Sequence, residues 1–598
     1  MLGASMNDEV KVYDIMVCRH SLSHVLAAAV LRVCPDVKLG IGPAIDEGFY
    51  YDFLVPEGSS FTQEILEKIE KEMTQIIKGK HDYIAKRIPP EEAKAIFKNE
   101  PFKLQLIDEL EKENEVVGTY QTENFIDLCN GPHVSNTKDL QKVAWKIDRV
   151  SGAYWKGNEK NPMMQRIYVL AFATKDELKE FIHRREEAAK RDHRKLGPEL
   201  ELFTFSDLIG KGMPILLHKG ATIRRILERL VVDEELKRGY QHVYTPVFGK
   251  KTLYEISGHW EHYKDGMYPI MKLGENDEIV LRPMTCPHHF MIYKDTPKSY
   301  RDLPLRLAEI SPQFRKELSG ELCGLTRVML FTLADAHIFC APEQLEDEFK
   351  RVLELIDFLM KRLGIDSMVR YRASLKDDVK KEKYVDNPEM WQKGESILLG
   401  IMEKLQLPYT KGIGDAAFYG PKLDIQMLNV YGKEETVFTV QIDFALPGRF
   451  NLLYIDRDGK EKCPVVVHRS SIGCLERTIA FLVEYYAGAF PLWLSPVQAK
   501  IISITENQID YAKEIADVLT TKMLRVETDL RSETLNKKIR EGRLQRIPYL
   551  VVVGEKEKES RSVTVRNRET GEQHTLSLEQ FIQRFSKEND EYSLKLEI

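Results

Sequence analysis

The stretch LRLAEISPQFRKE, residues 305–317, and the later GCLERTIAFLVEYYAG, residues 473–488, decide how this chain is read. The first ends in Arg315 and Glu317, and the second carries Arg477 inside a G-x-x-E-R pattern. A third stretch, ELKRGYQHVYTPVF, lies upstream of both and contains Pro246. A guanidinium presents a planar fork of donors and stays charged, so it suits places where anionic oxygens gather. Taken singly, an arginine is more often half of a surface ion pair. Three separated stretches in order make a far narrower pattern than any one of them.

Around these stretches lies a chain of 598 residues, 43% hydrophobic and 30% charged. That length predicts about three to five domains, and the balance is ordinary for domains with real cores. No run approaches ~18 consecutive apolar residues, so no membrane span is expected. The first residues carry Asp8, Glu9 and Asp14 and lack an export pattern, which predicts a cytoplasmic protein. Eight cysteines are scattered without a C-x-x-C pair, and a core of this size needs no disulfide framework. Net charge is −6, a weak argument against a nucleic-acid partner. Patches decide such questions, and two are basic: HRREEAAKRDHRK (183–195) and KKIREGRLQR (537–546). Either could be an RNA-facing surface or a solvated helix face.

Three blocks follow from the punctuation. The first, residues 1–185, alternates helical stretches with strand-like runs such as RIYVLAF (166–172). A charged linker helix, 186–197, is expected to stop at Gly197-Pro198. The second block, 198–491, holds most of the glycine and aromatic punctuation. The third, 492–598, reads strand (AKIISI), helix (IDYAKEIADVL), strand (RVETDL), basic-faced helix (ETLNKKIREGRL) and apolar strand (YLVVVG). That order predicts a parallel or mixed sheet with packed helices.

In the first block His20 and His24 sit in HSLSHVLAAAVL, an alanine- and leucine-rich helical stretch. Spaced by four, they share one helix face. DLCNGPHV later supplies Cys129 and His133 at the same spacing. The set suits zinc, although half-buried histidines and a core cysteine would look the same. The metalloprotease helix is excluded, because Ser21 stands where H-E-x-x-H needs Glu.

Taken together, the segments resemble bacterial-type threonyl-tRNA synthetases over nearly the whole chain. IGPAIDEGFYYDF, PFKLQLI, FIDLCNGPH and GAYWKGNEKNPMMQRIY are similar to that family's editing domain. The resemblance implies that His20, His24, Tyr51, Lys103, Asp127, Cys129 and His133 line a pocket that hydrolyses seryl-tRNA. The 235–248, 305–317 and 473–488 stretches resemble the three motifs of class II aminoacyl-tRNA synthetases, the first of which lies at a dimer interface. Arg315 is then assigned to the α-phosphate and carboxylate, Glu317 to the adenine side, and Arg477 to the γ-phosphate end. Cys286, His337 and His468 match one Cys and two His that hold one zinc per subunit and leave a position for substrate. Tyr419, Lys422 and Gln441 fall at amino-acid and adenylate positions, Arg327 at an ATP contact, and Asp335 at the acceptor for the threonine hydroxyl. Mg²⁺ is implied with ATP. Glu557 and Arg566 match anticodon-reading positions, and Ser532 stands where many relatives have Asn.

The chain also departs from the family. The familiar stretch R-V-R-G-F-T-Q-D-D-A-H is here RVMLFTLADAH, so Met329, Leu333 and Ala334 replace an Arg, a Gln and an Asp. The ubiquitin-like N-terminal domain of the long bacterial enzymes is expected to be absent.

The expected fold is α+β and multidomain: an α+β editing domain, a catalytic domain on an antiparallel sheet, and a C-terminal α/β anticodon-binding domain. The expected partners are tRNA(Thr), ATP and threonine, in a homodimer. Two rivals are a prolyl- or seryl-type synthetase, against which the Cys286/His337/His468 set argues, and a catalytically inert tRNA-binding regulator, against which Arg315 and Arg477 argue.

Overall fold

The computed structural model describes residues 13–598 except 114, 275–276, 319 and 380, so Asp8 and Glu9 lie outside the described residues. The chain divides into two compact units, Met1–Glu186 and Glu187–Ile598. The second and third sequence blocks thus share one unit.

The first unit is built on the helix Ile15–Val33, whose start is capped by the Asp14 carboxylate accepting from the Met16 N–H at 2.8 Å. Its run from Leu22 to Val30 is buried on every face, as an alanine-rich helix inside a core must be. It packs on the strand Gly48–Leu54, which pairs antiparallel with Met163–Phe172, itself paired with Ala144–Tyr154. RIYVLAF falls inside the middle of these strands. A separate antiparallel sheet joins Tyr83–Ile88, Val117–Thr122 and Phe125–Leu128.

The second unit centres on an eight-stranded sheet. In spatial order its strands are Gln241–His242, Leu305–Phe314, Leu330–Cys340, Val465–Cys474, Glu434–Asp443, Lys422–Leu428, Val369–Leu375 and Tyr409–Ile413. Every pairing is antiparallel except the two at the edges. Val465–Cys474 is central and almost wholly buried, which its β-branched VVV run favours. The helix Leu345–Leu363 covers one face with Phe349, Val352, Ile356 and Leu359 at spacings of three and four. Acidic residues fill its first turn and basic ones its last, and Gly364 ends it at φ +68°. With this face committed to hydrophobic packing, polar strand residues are left to the other.

The C-terminal sheet places Ala499–Ser503 between Val526–Asp529 and Tyr549–Val553, all parallel, and adds Ser562–Asn567 and Gln573–Ser577 antiparallel. It is the mixed sheet the element order predicts.

The linker differs from expectation. One helix, Lys175–Arg191, ends before Asp192, and a second, His193–Glu199, runs through Gly197 and Pro198. The break comes from Asp192, whose side chain caps the second helix by accepting from the Arg194 N–H at 2.8 Å. Gly197 serves close packing instead: a Cβ there would lie 2.1 Å from the Phe203 ring.

Candidate functional site

The polar face of the eight-stranded sheet carries the densest chemistry. Across adjacent strands His337 is paired with His468, His468 with Gln441, and Gln441 with Lys422. Residues in register on neighbouring strands point to one face, so pairing alone puts these four side chains in a row. Cys286 opens the helix Cys286–Lys294 and brings its thiol over the row. One donor atom from each of Cys286, His337 and His468 lies within 4.8 Å of the others, and all three residues are buried.

Both imidazoles are oriented from behind. His468 Nε2 lies 2.9 Å from Asp443 Oδ2, and His337 Nδ1 lies 2.9 Å from His289 Nδ1. His289 Nε2 in turn lies 3.3 Å from Glu309. A carboxylate on one ring nitrogen fixes the tautomer and aims the other nitrogen, the usual support of a ligating histidine. Burial, and then the neighbouring His468 and His289, push the His337 pKa well down, so it stays neutral. Burial pushes the Cys286 thiol up, a cost that a bound cation offsets. The three donors thus fit a zinc ion: soft or borderline atoms, converging, with tautomers set.

Beside this cluster Asp335, two residues before His337 on the same strand, accepts from Gln313 Nε2 at 3.2 Å. Burial raises its carboxyl. Tyr419 stacks on the His468 ring at 5.0 Å and donates to Gln441 Oε1 at 2.5 Å, and Lys422 pairs with Asp424 at 2.5 Å. Arg315 follows the strand Leu305–Phe314, stacks over Phe331 at 5.0 Å and donates to the Pro283 carbonyl at 3.3 Å. Arg327 reaches Glu317 at 2.8 Å and Glu321 at 3.0 Å. Arg477, in the helix Leu475–Tyr485, donates to the carbonyls of Thr326 at 3.1 Å and Thr436 at 3.3 Å. Of the departures from the family pattern, Ala334 is in the hydrophobic core, Met329 bonds Arg315 through its backbone, and Leu333 stands at a β-bulge before Asp335.

A second cluster belongs to the first unit. His20, His24, Cys129 and His133 each offer a donor atom within 4.8 Å of the others. Cys129 Sγ lies 3.3 Å from His20 Nε2 and 3.1 Å from His133 Nε2. Below them sits a buried triad: Lys103 Nζ is 2.5 Å from Asp127 Oδ1, and the Tyr51 hydroxyl donates to Asp127 Oδ2 at 2.6 Å while accepting from Lys103 at 3.0 Å. His24 Nε2 is 4.0 Å from the same carboxylate. Burial, then the adjoining His24 and His20, lower the His133 pKa to about 2, and burial raises the Cys129 thiol to about 11. All seven residues expected in this pocket are therefore adjacent. An apolar pocket of about 320 Å³, walled by Met16, Val17, Pro43, Ala44 and Pro132, opens beside His20.

The C-terminal candidates are less alike. Arg566, on the strand Ser562–Asn567, lines a groove of about 560 Å³ with Asn536, Arg540, Arg543 and Arg546. Glu557 accepts from the Gly554 N–H and from the Thr564 hydroxyl, both at 2.9 Å, so it also caps its own helix. The basic run 537–546 splits: Lys538 is buried, donating to the Ser503 carbonyl at 2.8 Å, while its arginines face the groove.

Sequence reasoning missed His289, Asp443, Glu309 and Gln313. Two had a local signal, since Asp443 follows Gln441 by two in TVQIDF and His289 follows Cys286 by three in CPHH. Glu309 and Gln313 had none beyond alternation with Ser311.

Comparison with known proteins adds to the geometry. Residues 270–486 match the tRNA synthetase class II core domain (G, H, P, S and T), 498–588 an anticodon binding domain, and 117–168 the threonyl and alanyl tRNA synthetase second additional domain. The threonine--tRNA ligase of Clostridium perfringens (strain SM101 / Type A) is 50% identical over 566 residues, 94% of this chain and 87% of that protein. The threonine--tRNA ligase of Geobacillus sp. (strain WCH70) is 48% identical over 578 residues, 96% of this chain and 88% of that one. Among solved structures, the RNA binding domain of threonyl-tRNA synthetase from Cryptosporidium parvum Iowa II aligns with a TM-score of 0.63 at 36% identity, covering 68% of this chain and 99% of that one. No helix among the described residues is long and apolar enough to cross a membrane.

Proposed function

The chain belongs to the threonine--tRNA ligase family, and from that premise we propose how its own residues divide the work. The enzyme joins threonine to tRNA in two steps, forming threonyl-adenylate and pyrophosphate from threonine and ATP, then transferring the threonyl group to the 3′ end of tRNA(Thr). Cys286, His337 and His468 would hold one zinc ion per chain. An ion held there would supply a Lewis-acid site for the amino and hydroxyl groups of threonine. The observation that carries this reading is the cross-strand row His337–His468–Gln441–Lys422 with Cys286 above it and carboxylate or imidazole support behind each histidine.

The protein's own groups handle the charge. Attack of the threonine carboxylate on the α-phosphate brings two anions together, and a fixed guanidinium there stabilises the charge that builds. Arg315 holds that position, steadied by Phe331 and the Pro283 carbonyl. Arg477 anchors the γ-phosphate end. Glu317 and Arg327 neutralise one another without ligand, and ATP parts them: Arg327 turns to phosphate and Glu317 to the adenine. Mg²⁺ would accompany ATP and supply positive charge to its phosphates. Asp335 accepts from the threonine hydroxyl, and Tyr419, Gln441 and Lys422 complete the amino-acid and adenylate side. The enzyme works as a homodimer through the 235–248 segment, in the cytoplasm.

Fidelity needs two sites. Valine has the shape of threonine without the hydroxyl, so it leaves Asp335 and the metal without their partner and is rejected by roughly 10⁴-fold or more. Serine lacks only a methyl, a difference that discriminates by only about 10–200-fold. Seryl-tRNA is therefore made, and the His20/His24/Cys129/His133 pocket hydrolyses it, with Lys103 and Asp127 positioning the ester and the attacking water. In the C-terminal domain Arg566 and Glu557 read anticodon bases.

ATP–pyrophosphate exchange with threonine, serine and valine tests the first site. Exchange is expected with threonine, weakly with serine and not with valine. Absence of threonine-dependent exchange in the intact protein defeats the proposal and favours a tRNA-binding regulator.

A further inference from the structure

The basic segment 183–195 contains one histidine that is not a surface charge. His193 is 2% exposed. Its Nε2 accepts from the Leu325 N–H at 3.1 Å, so the ring proton resides on Nδ1, which donates to Glu484 Oε1 at 2.7 Å. One imidazole thus ties the linker helix His193–Glu199 to the helix Leu475–Tyr485, which bears Arg477, and to the turn 323–327, which ends in Arg327.

Among the described residues the turn otherwise bonds mainly to itself. It closes on itself through Cys323 N–H to the Arg327 carbonyl at 3.1 Å and Arg327 N–H to the Cys323 carbonyl at 3.2 Å. Its fixed points are the buried Leu325 side chain, the Thr326 carbonyl gripped by Arg477, and the Leu325 N–H gripped by His193. Gly324 makes the approach possible. It sits at φ +49°, and a Cβ there would lie 2.1 Å from His193 Nε2. The Arg327 side chain is 48% exposed and, among the described residues, held by Glu317 and Glu321, so its reach depends on where this turn stands.

Asp192, His193 and Glu484 also form a donor cluster compact enough for a metal. Its atoms are already engaged, however. Asp192 accepts from Arg194 and from the Tyr431 hydroxyl at 2.8 Å, and both His193 nitrogens are bonded. The cluster is a hydrogen-bonded hub.

We propose that His193 is a positioning residue for ATP: its Nε2 holds the turn 323–327 so that Arg327 reaches the phosphates. The proposal rests on the reading of Arg327 as an ATP contact. Its consequence is specific, because the two ring nitrogens have separable duties. In His193→Gln the side-chain amide reaches the place of Nε2 and still accepts from Leu325. In His193→Asn it reaches only the place of Nδ1 and keeps Glu484 alone.

The test is ATP–pyrophosphate exchange on the full chain, with KM for ATP and for threonine read separately and thermal stability measured alongside. His193→Asn is expected to raise the ATP KM about three- to tenfold, the size of one lost hydrogen bond, with the threonine KM unchanged. His193→Gln is expected to stay within about twofold of wild type for ATP while losing similar stability. Equal ATP KM values in the two variants, or equal rises for ATP and threonine, overturn the proposal and leave His193 a purely structural residue. Should the Asn variant not fold, the Gln variant decides: a wild-type ATP KM supports the proposal and a tenfold rise refutes it. Arg327→Ala separates the two layers. If it spares the ATP KM, the reading of Arg327 fails and the proposal with it. If it raises the ATP KM while His193→Asn does not, only the proposal fails.

Discussion

Replacing Lys103 by methionine is the sharpest test of the proposed hydrolytic pocket, because Lys103 and Asp127 combine a stability cost in the structure with a role in the proposed function. Lys103 and Asp127 are each 2% exposed and lie 2.5 Å apart. Removing one member of a buried pair strands the other as an uncompensated charge, at about 3–5 kcal/mol. In a unit the size of Met1–Glu186 each kcal/mol moves the melting temperature by roughly 2–4 °C, so a fall of about 6–20 °C is expected. Adding Asp127→Asn removes the stranded charge while keeping an acceptor for the Leu128 N–H, which Asp127 Oδ1 accepts at 2.8 Å. Most of the lost stability should return, leaving about 1 kcal/mol for the altered hydrogen bonds. Function should not return. With Lys103 and the carboxylate both gone, hydrolysis of preformed seryl-tRNA should remain abolished, while threonine-dependent pyrophosphate exchange stays at its wild-type rate. Thermal unfolding, a deacylation time course and the exchange assay read the three quantities on one preparation. A double variant that clears seryl-tRNA as fast as wild type would show that the pair serves only the fold. The single variant is equally decisive on stability: if Lys103→Met alone costs under about 1 kcal/mol, the burial argument itself is wrong.

Further expectations concern the other sites. His337→Ala should lose zinc and adenylate formation together, starting from about one zinc per chain by metal analysis, as three convergent donors would hold; full activity in zinc-free wild type sinks this. Arg566→Ala and Glu557→Ala should impair tRNA charging and change selectivity among anticodon variants while sparing pyrophosphate exchange, since base contacts specify and phosphate contacts mainly position. Glu557→Ala should in addition lose about 1 kcal/mol of stability as a helix cap, and an equal loss of exchange in both would place these residues in the fold instead. Glu588, 1% exposed and bonded to the Tyr549 hydroxyl at 2.7 Å, has its carboxyl raised by burial from 4.5 to about 7. Its folded form keeps the proton that the unfolded chain releases, so stability is full below about 4.5 and falls at about 1.4 kcal/mol per pH unit up to about 7. Glu588→Gln should gain on wild type across that window in urea titrations and run parallel to it above; a constant difference at all pH values contradicts the shift.

The local chemistry of this protein was written in its sequence, and its assembly was not. HSLSHVLAAAVL reads as a helix with two imidazoles on one face because helical spacing is a property of neighbours in the chain, and the helix Ile15–Val33 has that form. The β-α-β-α-β order of the last block predicts a parallel or mixed sheet for the same reason, and the stretches bearing Arg315 and Arg477 point to anion chemistry by residue type. What tertiary structure decided is who stands behind whom. Nothing local says that His468 meets His337 and Gln441 across three strands, since register between distant strands is set by packing of the apolar face. The spacing of His289 from Cys286 is local, but its support of His337, and that of His289 by Glu309, is set across elements, because each partner comes from a different one. The linker shows a mixed outcome. Gly197-Pro198 carries the chemistry of a helix stop, and the helix His193–Glu199 ends one residue past Pro198, but a break also falls at Asp192, where an N-cap carboxylate starts that helix and Phe203 packs against its Gly197. The same packing turns His193, one letter in a basic run, into a buried tie between three elements: charge is a property of composition, but burial belongs to the fold.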